Sequence, residues 1–257
     1  MSTADWDPAQ YRRFAAERRQ PFDVLLSLLA PVPGGRVADL GCGPGELTRE
    51  LHEALGASET LGLDNSPAML ERATPLAGGG LSFVKGDLAS FDGAGRVWDV
   101  VHASASLQWV PDHAEVLARW VPALAPGGQL AVQVPANGNH PSHVVMRQVA
   151  DEMGIDTGPD VHVTVERPER YAAILDELGL DDVHVRLQIF LHHLPSTTDV
   201  VEWVKGTALL RVKEAATPEE YEAFLVRYSE VLLGEIGRRS PYLYTYPRIL
   251  MVGRSPE

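Results

Sequence analysis

The first half of the chain alternates between short apolar runs and amphipathic stretches. A short apolar run is typical of a buried strand, and apolar residues three and four positions apart indicate a helix. The predicted strands are residues 36–40, 60–64, 81–87, 98–104 and 129–134, and the predicted helices are residues 46–55, 66–73 and 113–124. Strands that alternate with helices predict a parallel, doubly wound α/β sheet, whose ligands bind at the carboxyl ends of the strands.

The pattern changes after Val134. Helices are predicted there at 140–153, 168–180, 199–210 and 217–237, and strands at 182–194 and 246–255. The last helix has strong start signals, because Thr217 can cap it, Pro218 suits its first position and Glu220 completes a capping box. A nucleotide-binding sheet does not require at least two of these helices. We therefore expect that they form a lid or a substrate-binding insertion.

This pattern predicts four parts along the chain. Residues 1–30 would form an N-terminal helical segment over the active site, interrupted near Pro21, and residues 31–137 a ligand-binding core. Residues 138–240 would hold the remaining core elements and a helical substrate-binding lid. Residues 241–257 would return to the core as its C-terminal strand.

Composition and charge exclude several classes of function. The 257 residues carry a net charge of −13, which disfavours nucleic acid as a partner because phosphate binding needs basic patches. No apolar run approaches the roughly 20 residues that span a bilayer, and the first residues lack the apolar core of a signal peptide. The single cysteine, Cys42, excludes an internal disulfide framework and favours a reducing cytoplasm.

Three glycines connect the first predicted strand to its helix. Gly41 permits a tight turn, Gly43 lets the backbone approach a ligand, and Gly45 opens the helix. Their G-x-G-x-G spacing differs from the G-x-G-x-x-G of dinucleotide-binding loops. Asp39, just before the loop, could accept a hydrogen bond from an ammonium group or order the loop itself.

Acidic residues end the second and third predicted strands. Asp64 can accept hydrogen bonds from two ribose hydroxyls, and Asp87 can accept one from an adenine amino group. Either acid alone would usually be a helix cap or turn residue. A glycine loop followed by acids at consecutive strand ends is more specific, and it suits adenosine with a cationic tail better than adenosine with phosphates.

Several segments resemble known proteins. The motifs "VADLGCGPGELT", "GLDNSPAML" and "FVKGDLASF" resemble the cofactor motifs of class I S-adenosylmethionine-dependent methyltransferases. Together with "WDPAQYRRFAAERRQPFDVLL", "ASASLQWVPDH", "LAVQVPANGNHPSHVVMRQVA" and "YPRILMVGR", they resemble the trans-aconitate 2-methyltransferase family along nearly the whole chain. The resemblance implies a Rossmann-like, mostly parallel seven-stranded sheet with a last antiparallel strand. It also implies S-adenosylmethionine as methyl donor and S-adenosylhomocysteine as product.

The resemblance also implies a set of cofactor-binding residues. The glycines and Asp39 would line the methionine end, Asp64 the ribose, and the residues after the third strand the adenine. Two residues at the end of the fourth strand would lie near the methionine or sulfonium group. The full set is Asp39, Gly41, Gly43, Asp64, Asn65, Asp87, Leu88, Ala103 and Ser104.

The substrate implied by the resemblance is trans-aconitate or a related small polycarboxylic acid, methylated on a carboxylate. A carboxylate is ionised at pH 7, so we expect no general base, only alignment and exclusion of water. A polyacid needs cationic anchors, and arginine matches carboxylates best. The substrate-binding candidates are Tyr11, Arg18, Gln108, Trp109, His140, Arg147, Tyr246 and Arg248.

Some features depart from the pattern or suggest other functions. Arg211 lacks the proline that follows the corresponding arginine in the family, which puts the acid substrate in question. The alternatives are a methyltransferase of another small molecule, such as a natural-product acid or hydroxyl, an NAD-dependent oxidoreductase and a non-catalytic nucleotide-binding regulator. We expect no metal site, because His192 and His193 are adjacent on a strand and point to opposite faces. Cys42 is expected to have no nucleophilic role.

Overall fold

The computed structural model describes residues 15–158 and 164–257, with side chains from Arg19 onward. These residues form two compact units. The core unit comprises residues 21–135, 163–188 and 248–257. The second unit comprises the described residues of 1–20, 136–162 and 189–247. The four-part division expected from the sequence stays a prediction.

Seven strands form one sheet in the described part of the chain. They are β1 (Arg36–Leu40), β2 (Glu59–Asp64), β3 (Leu81–Lys85), β4 (Trp98–Ser104), β5 (Leu124–Pro135), β6 (Asp181–Leu194) and β7 (Tyr242–Arg254). Their order is β3-β2-β1-β4-β5-β7-β6. The strands from β3 to β5 are parallel, and β7 runs antiparallel to β5. The expected mostly parallel sheet with an antiparallel C-terminal strand is confirmed.

The described residues also form nine α-helices. They are α1 (Ala15–Leu26), α2 (Glu46–Leu55), α3 (Pro67–Ala73), α4 (His113–Trp120), α5 (Pro141–Glu152), α6 (Pro168–Glu177), α7 (Thr198–Lys205), α8 (Leu210–Ala215) and α9 (Pro218–Ile236). None of these helices has the length and apolar character that a membrane span requires.

Capping hydrogen bonds are present at the start of two helices. Ser66 Oγ accepts a hydrogen bond from the Met69 amide at the start of α3. At the start of α9, Thr217 Oγ1 accepts from the Glu220 amide, and the Glu220 carboxylate accepts from the Thr217 amide. Each cap satisfies amide groups that have no partner within the helix.

The structure differs from the predicted elements in several places. Helix α1 continues through Pro21, which removes one backbone donor without ending the helix. Strand β5 begins at Leu124 rather than residue 129, because residues 125–128 form an irregularity in its pairing with β4. The helix expected at 199–210 ends at Lys205 as α7, and the next helix, α8, begins only at Leu210. Strand β7 begins at Tyr242 rather than at residue 246.

Parallel central strands supply the core of the sheet. Leu40 on β1, Val100 and Val101 on β4, and Leu130 and Val132 on β5 are fully buried. Apolar residues on both faces are typical of a sheet covered by helices on each side. The carboxyl ends of β1, β2 and β4 in the core unit therefore carry the polar residues that the sequence singled out.

Candidate active site

Two glycines of the loop after β1 differ in what a side chain would meet there. Gly41 has a φ of +82°, and a Cβ placed there would lie 2.2 Å from the Ser106 Cβ. Ser106 Oγ donates to the Leu40 carbonyl at 2.6 Å, so the loop after β4 packs directly on this turn. Gly43 has a φ of +56°, and a Cβ placed there would have no atom within 4 Å. Gly41 thus serves packing, whereas Gly43 borders open space.

Asp39 is buried beneath this loop, with 4% of its surface exposed. Its Oδ1 lies 2.7 Å from the Nδ1 of His102, and its Oδ2 accepts from Thr48 Oγ1 at 2.6 Å. Both oxygens therefore have partners within the core unit. This geometry favours the interpretation that Asp39 orders the loop. Its contact with a ligand ammonium group stays a prediction.

Asp64 connects the end of β2 to the glycine loop. Its Oδ2 accepts from the Gly43 amide at 2.9 Å, and its Oδ1 accepts from the Ser66 amide at 2.8 Å. A carboxylate oxygen has two lone pairs, so each oxygen keeps acceptor capacity for a ribose hydroxyl. Asn65 follows it directly in the turn before α3.

Asp87 and Leu88 lie in the turn after β3. Asp87 is exposed, and its Oδ1 accepts from the Ala89 amide at 3.0 Å. The Leu88 carbonyl accepts from the indole nitrogen of Trp120 at 2.8 Å. Asp87 therefore has the turn role expected of an isolated acid. Its second carboxylate oxygen accepts no hydrogen bond from an amide of the described residues.

A buried polar row crosses the end of β4. Ser104 Oγ lies 2.8 Å from Gln133 Nε2, and the Gln133 Oε1 accepts from an Arg248 Nη1 at 3.2 Å. Gln133 is 2% exposed and Arg248 is 7% exposed, while Ala103 beside Ser104 is fully buried. Sequence reasoning missed Gln133, although a glutamine within the apolar run 129–134 was a usable signal.

The loop after β4 holds two further candidates. Gln108 Nε2 donates to the carbonyl of Ala105, whose φ is +56°. Gln108 Oε1 is buried and has no partner among the described residues. Because this atom accepts hydrogen bonds, it suits a donor such as an ammonium group better than a substrate carboxylate. Trp109 is 42% exposed, so part of its side chain is accessible.

Three substrate-binding candidates with described side chains lie in the second unit. Burial lowers the pKa of His140 to about 4, so the imidazole is neutral at pH 7. Its Nδ1 accepts from the Ser142 amide and caps helix α5. Arg147 donates to the Gly138 carbonyl at 3.0 Å, and Tyr246 lies in an aromatic cluster beside Trp203. His140 is therefore not a cationic anchor at neutral pH.

Tyr11 and the Arg18 side chain lie outside the described residues. Arg211, which departs from the family pattern, donates to the Thr157 carbonyl at 2.8 Å within the second unit. Burial, together with the nearby carboxylates of Asp39 and Asp64, raises the pKa of the Cys42 thiol far above its usual range. A protonated thiol is a poor nucleophile, in keeping with its expected inert role.

The side chains of His192 and His193 differ as the strand alternation predicts. His192 is buried and His193 is exposed, so they lie on opposite faces of β6. In the residues that the structure describes, no group of three or more histidine, cysteine, aspartate or glutamate side chains could hold a metal ion.

The residues of the core unit fit an adenosine ligand with a methionine tail. Open space at Gly43 admits a ligand against the backbone, and the adjacent Asp64 carboxylate keeps free lone pairs. Gln108 Oε1 is a buried acceptor without a partner in the described residues, as an ammonium group requires. The donor and acceptor set therefore matches S-adenosylmethionine, and no basic side chain that would favour a pyrophosphate lies among these residues.

Comparison with known proteins decides the family. A family model described as a methyltransferase domain matches residues 37–128. Over 98% of its length the chain is 38% identical to a trans-aconitate 2-methyltransferase of Streptomyces coelicolor, covering 87% of that relative. It is 36% identical to one of Deinococcus radiodurans, covering 98% of this chain and 99% of that relative. The chain belongs to the trans-aconitate 2-methyltransferase family. Membership makes it a methyltransferase and removes the oxidoreductase and regulator alternatives.

Solved structures agree on the fold. Phosphoethanolamine N-methyltransferase 2 of Haemonchus contortus, in complex with phosphomonomethylethanolamine and S-adenosylhomocysteine, superposes with a TM-score of 0.60. The two chains are 14% identical, and the match covers 93% of this chain and 53% of the other. At that identity the likeness supports the Rossmann-like fold and carries no information on substrate.

Proposed function

We propose that this family member is an S-adenosylmethionine-dependent O-methyltransferase that esterifies a carboxylate of trans-aconitate or a related small polycarboxylic acid. The observation that carries the proposal is 36–38% identity over nearly the full chain to enzymes named for that reaction. The site geometry in the core unit supports it independently. S-adenosylmethionine supplies an activated methyl group on a sulfonium, and S-adenosylhomocysteine is the product.

The chain would hold this donor through the carboxyl ends of three neighbouring strands. Gly43 provides the approach of the backbone, Asp64 accepts from the ribose, and Asp87 and Leu88 border the adenine. Asp39 acts through the loop that it orders, because its two oxygens bond His102 and Thr48. These assignments rest on the geometry of each residue and on the family resemblance.

Methyl transfer to a carboxylate requires of the protein mainly that it bind and align the two reactants. An acid substrate is already ionised, so no residue has to remove a proton. Holding the nucleophile in line with the methyl group and excluding water then account for the rate enhancement. Arg248 is the strongest candidate anchor for the acid, because its guanidinium is buried and oriented by Gln133. A cytoplasmic location and a helical substrate-binding lid within residues 138–240 belong to the same proposal.

Ligand titrations test the donor assignment. We expect purified protein to bind S-adenosylhomocysteine tightly and NADH weakly, measured by calorimetry under the same conditions. Tight binding of NADH alone would contradict the proposal. A methyltransferase of another small molecule remains the second candidate, and a panel of acids, amines and phenols with labelled donor separates the two.

A further inference from the structure

Ser104, Gln133 and Arg248 form a row across three neighbouring strands of the core unit. Ser104, the last residue of β4, lies directly opposite Gln133 of β5. Gln133 lies opposite Leu250 of β7, and Arg248 is two positions from Leu250. Because side chains alternate between the faces of a sheet, Arg248 shares a face with Leu250 and is the diagonal neighbour of Gln133.

The direction of hydrogen bonding along this row is fixed by the arginine. A guanidinium donates and never accepts, so Gln133 must turn its Oε1 to Arg248, at 3.2 Å. Its Nε2 then faces Ser104 Oγ, at 2.8 Å, and donates to it. Ser104 Oγ is therefore an acceptor in this contact, and the serine hydrogen is directed to another group.

No acceptor for that hydrogen exists in the described part of the chain. The Ser104 side chain has one hydrogen-bond partner there, the Gln133 amide, and that partner donates. Ser104 is half-buried, so its hydroxyl can reach a bound molecule, whereas Gln133 is 2% exposed. A glutamine buried to this degree costs free energy unless both ends of its amide are bonded, and here both are.

We propose that the Ser104 hydroxyl and the Arg248 guanidinium donate to one carboxylate of the acid substrate, with Gln133 as the positioning residue that aims both. The inference rests on the proposed function, and it moves Ser104 from the cofactor set to the substrate set. A guanidinium and a hydroxyl together match the two oxygens of a carboxylate. Partial burial of the row strengthens both hydrogen bonds.

Replacing the Gln133 amide by a carboxylate, which cannot donate a hydrogen bond, tests the proposal. In Gln133→Glu the new carboxylate only accepts, so the Ser104 hydroxyl would donate to it. Its negative charge would also offset the positive charge of Arg248. We expect the KM for trans-aconitate to rise at least about tenfold and the KM for S-adenosylmethionine to stay within about twofold. Ser104→Ala should raise the same KM by about fivefold, and Ser104→Thr, which keeps the hydroxyl, should restore it.

Gln129 offers a matched control on the same strand. Its Oε1 accepts from Arg254 of β7 at 3.4 Å, and its Nε2 donates to the Ala30 carbonyl at 3.0 Å. It is also buried, four positions before Gln133. Gln129→Glu therefore introduces the same charge beside an arginine of the same strand pair, and we expect both KM values within about twofold of the wild type.

The outcomes separate the inference from the proposed function. If the wild type esterifies trans-aconitate and the KM for the acid is unchanged in Gln133→Glu and Ser104→Ala, the inference is overturned and the function stands. A rise in the KM for S-adenosylmethionine instead assigns Ser104 to the donor, which also overturns it. A wild type that methylates no acid overturns the proposed function and the inference together. Should Gln133→Glu fail to fold, the Ser104→Ala and Ser104→Thr pair decides.

Discussion

The Oδ1 of Asp39 lies 2.7 Å from the Nδ1 of His102, and the two residues are direct neighbours across β1 and β4. Only 4% of Asp39 and 1% of His102 is exposed. A carboxylate buried to this extent is tolerated because Thr48 bonds its second oxygen. A buried polar network, and not apolar packing alone, therefore supports the glycine loop.

Removing the histidine should destabilise the protein. His102→Leu leaves one oxygen of a buried carboxylate without its donor, and we expect a loss of about 2–3 kcal/mol in the free energy of unfolding. His102→Asn should lose less, because its amide N–H can replace the Nδ1 donor. Urea denaturation measures both variants. Equal losses would mean that the hydrogen bond to Asp39 contributes nothing.

The two loop glycines should respond differently to the same substitution. Gly41→Ala places a Cβ against Ser106, so we expect it to lower the melting temperature strongly. Gly43→Ala adds backbone strain of about 1 kcal/mol and a methyl group in open space. We therefore expect Gly43→Ala to weaken S-adenosylhomocysteine binding at least about tenfold, with a small change in melting temperature. Calorimetric titration measures the affinity, and thermal melts measure the melting temperature. Equal changes of both quantities in the two variants would refute the distinction between Gly41 and Gly43.

Asp64 should be needed for donor affinity. Asp64→Ala removes the proposed ribose acceptor and the bond that holds the Gly43 amide, so we expect the Kd for S-adenosylhomocysteine to rise about 10- to 100-fold. Asp99→Ala is the matched control, because its carboxylate also accepts from a backbone amide of the core unit, that of Arg36. The control should bind S-adenosylhomocysteine like the wild type. Similar Kd values in Asp64→Ala and wild type would contradict the assignment.

Acid should destabilise the second unit through His140. Burial lowers its folded pKa to about 4, against about 6.5 for a solvent-exposed histidine, so the unfolded chain binds more protons between these values. The free energy of unfolding therefore falls as pH decreases from about 6.5 to about 4, and this contribution is fully present only above about 6.5. His140→Asn keeps a helix-capping side chain and removes the titration. Its melting temperature should fall less over that pH range, and an unchanged slope would refute the account.

Local sequence signals predicted most elements of the described chain. The run "RVADL" in the core unit and the Thr217–Glu220 box in the second unit depend on neighbouring residues, and each is present as expected. Local signals could not predict the pairing between residues that are distant in the sequence. Asp39 and His102 are 63 positions apart, and Gln133 and Arg248 are 115 apart, so strand order had to be known first.

The candidate site was predictable to the same extent. A glycine loop and acids at strand ends are local patterns, so the sequence indicated the donor class. Several partners of these side chains are distant in the sequence. Nothing near Asp39 indicated that its oxygens are occupied, by Thr48 and by His102, which lies 63 positions away. The predicted strand 129–134 likewise omits residues 125–128, whose pairing with β4 is irregular.

Methyl transfer to trans-aconitate tests the central claim most directly. Purified protein would be incubated with S-adenosylmethionine carrying a deuterated methyl group and with trans-aconitate, and the products identified by mass spectrometry. The account predicts a labelled monomethyl ester and an equal amount of S-adenosylhomocysteine, both dependent on the acid. Labelled methyl on an amine or phenol from the panel, with none on any carboxylic acid, would contradict it.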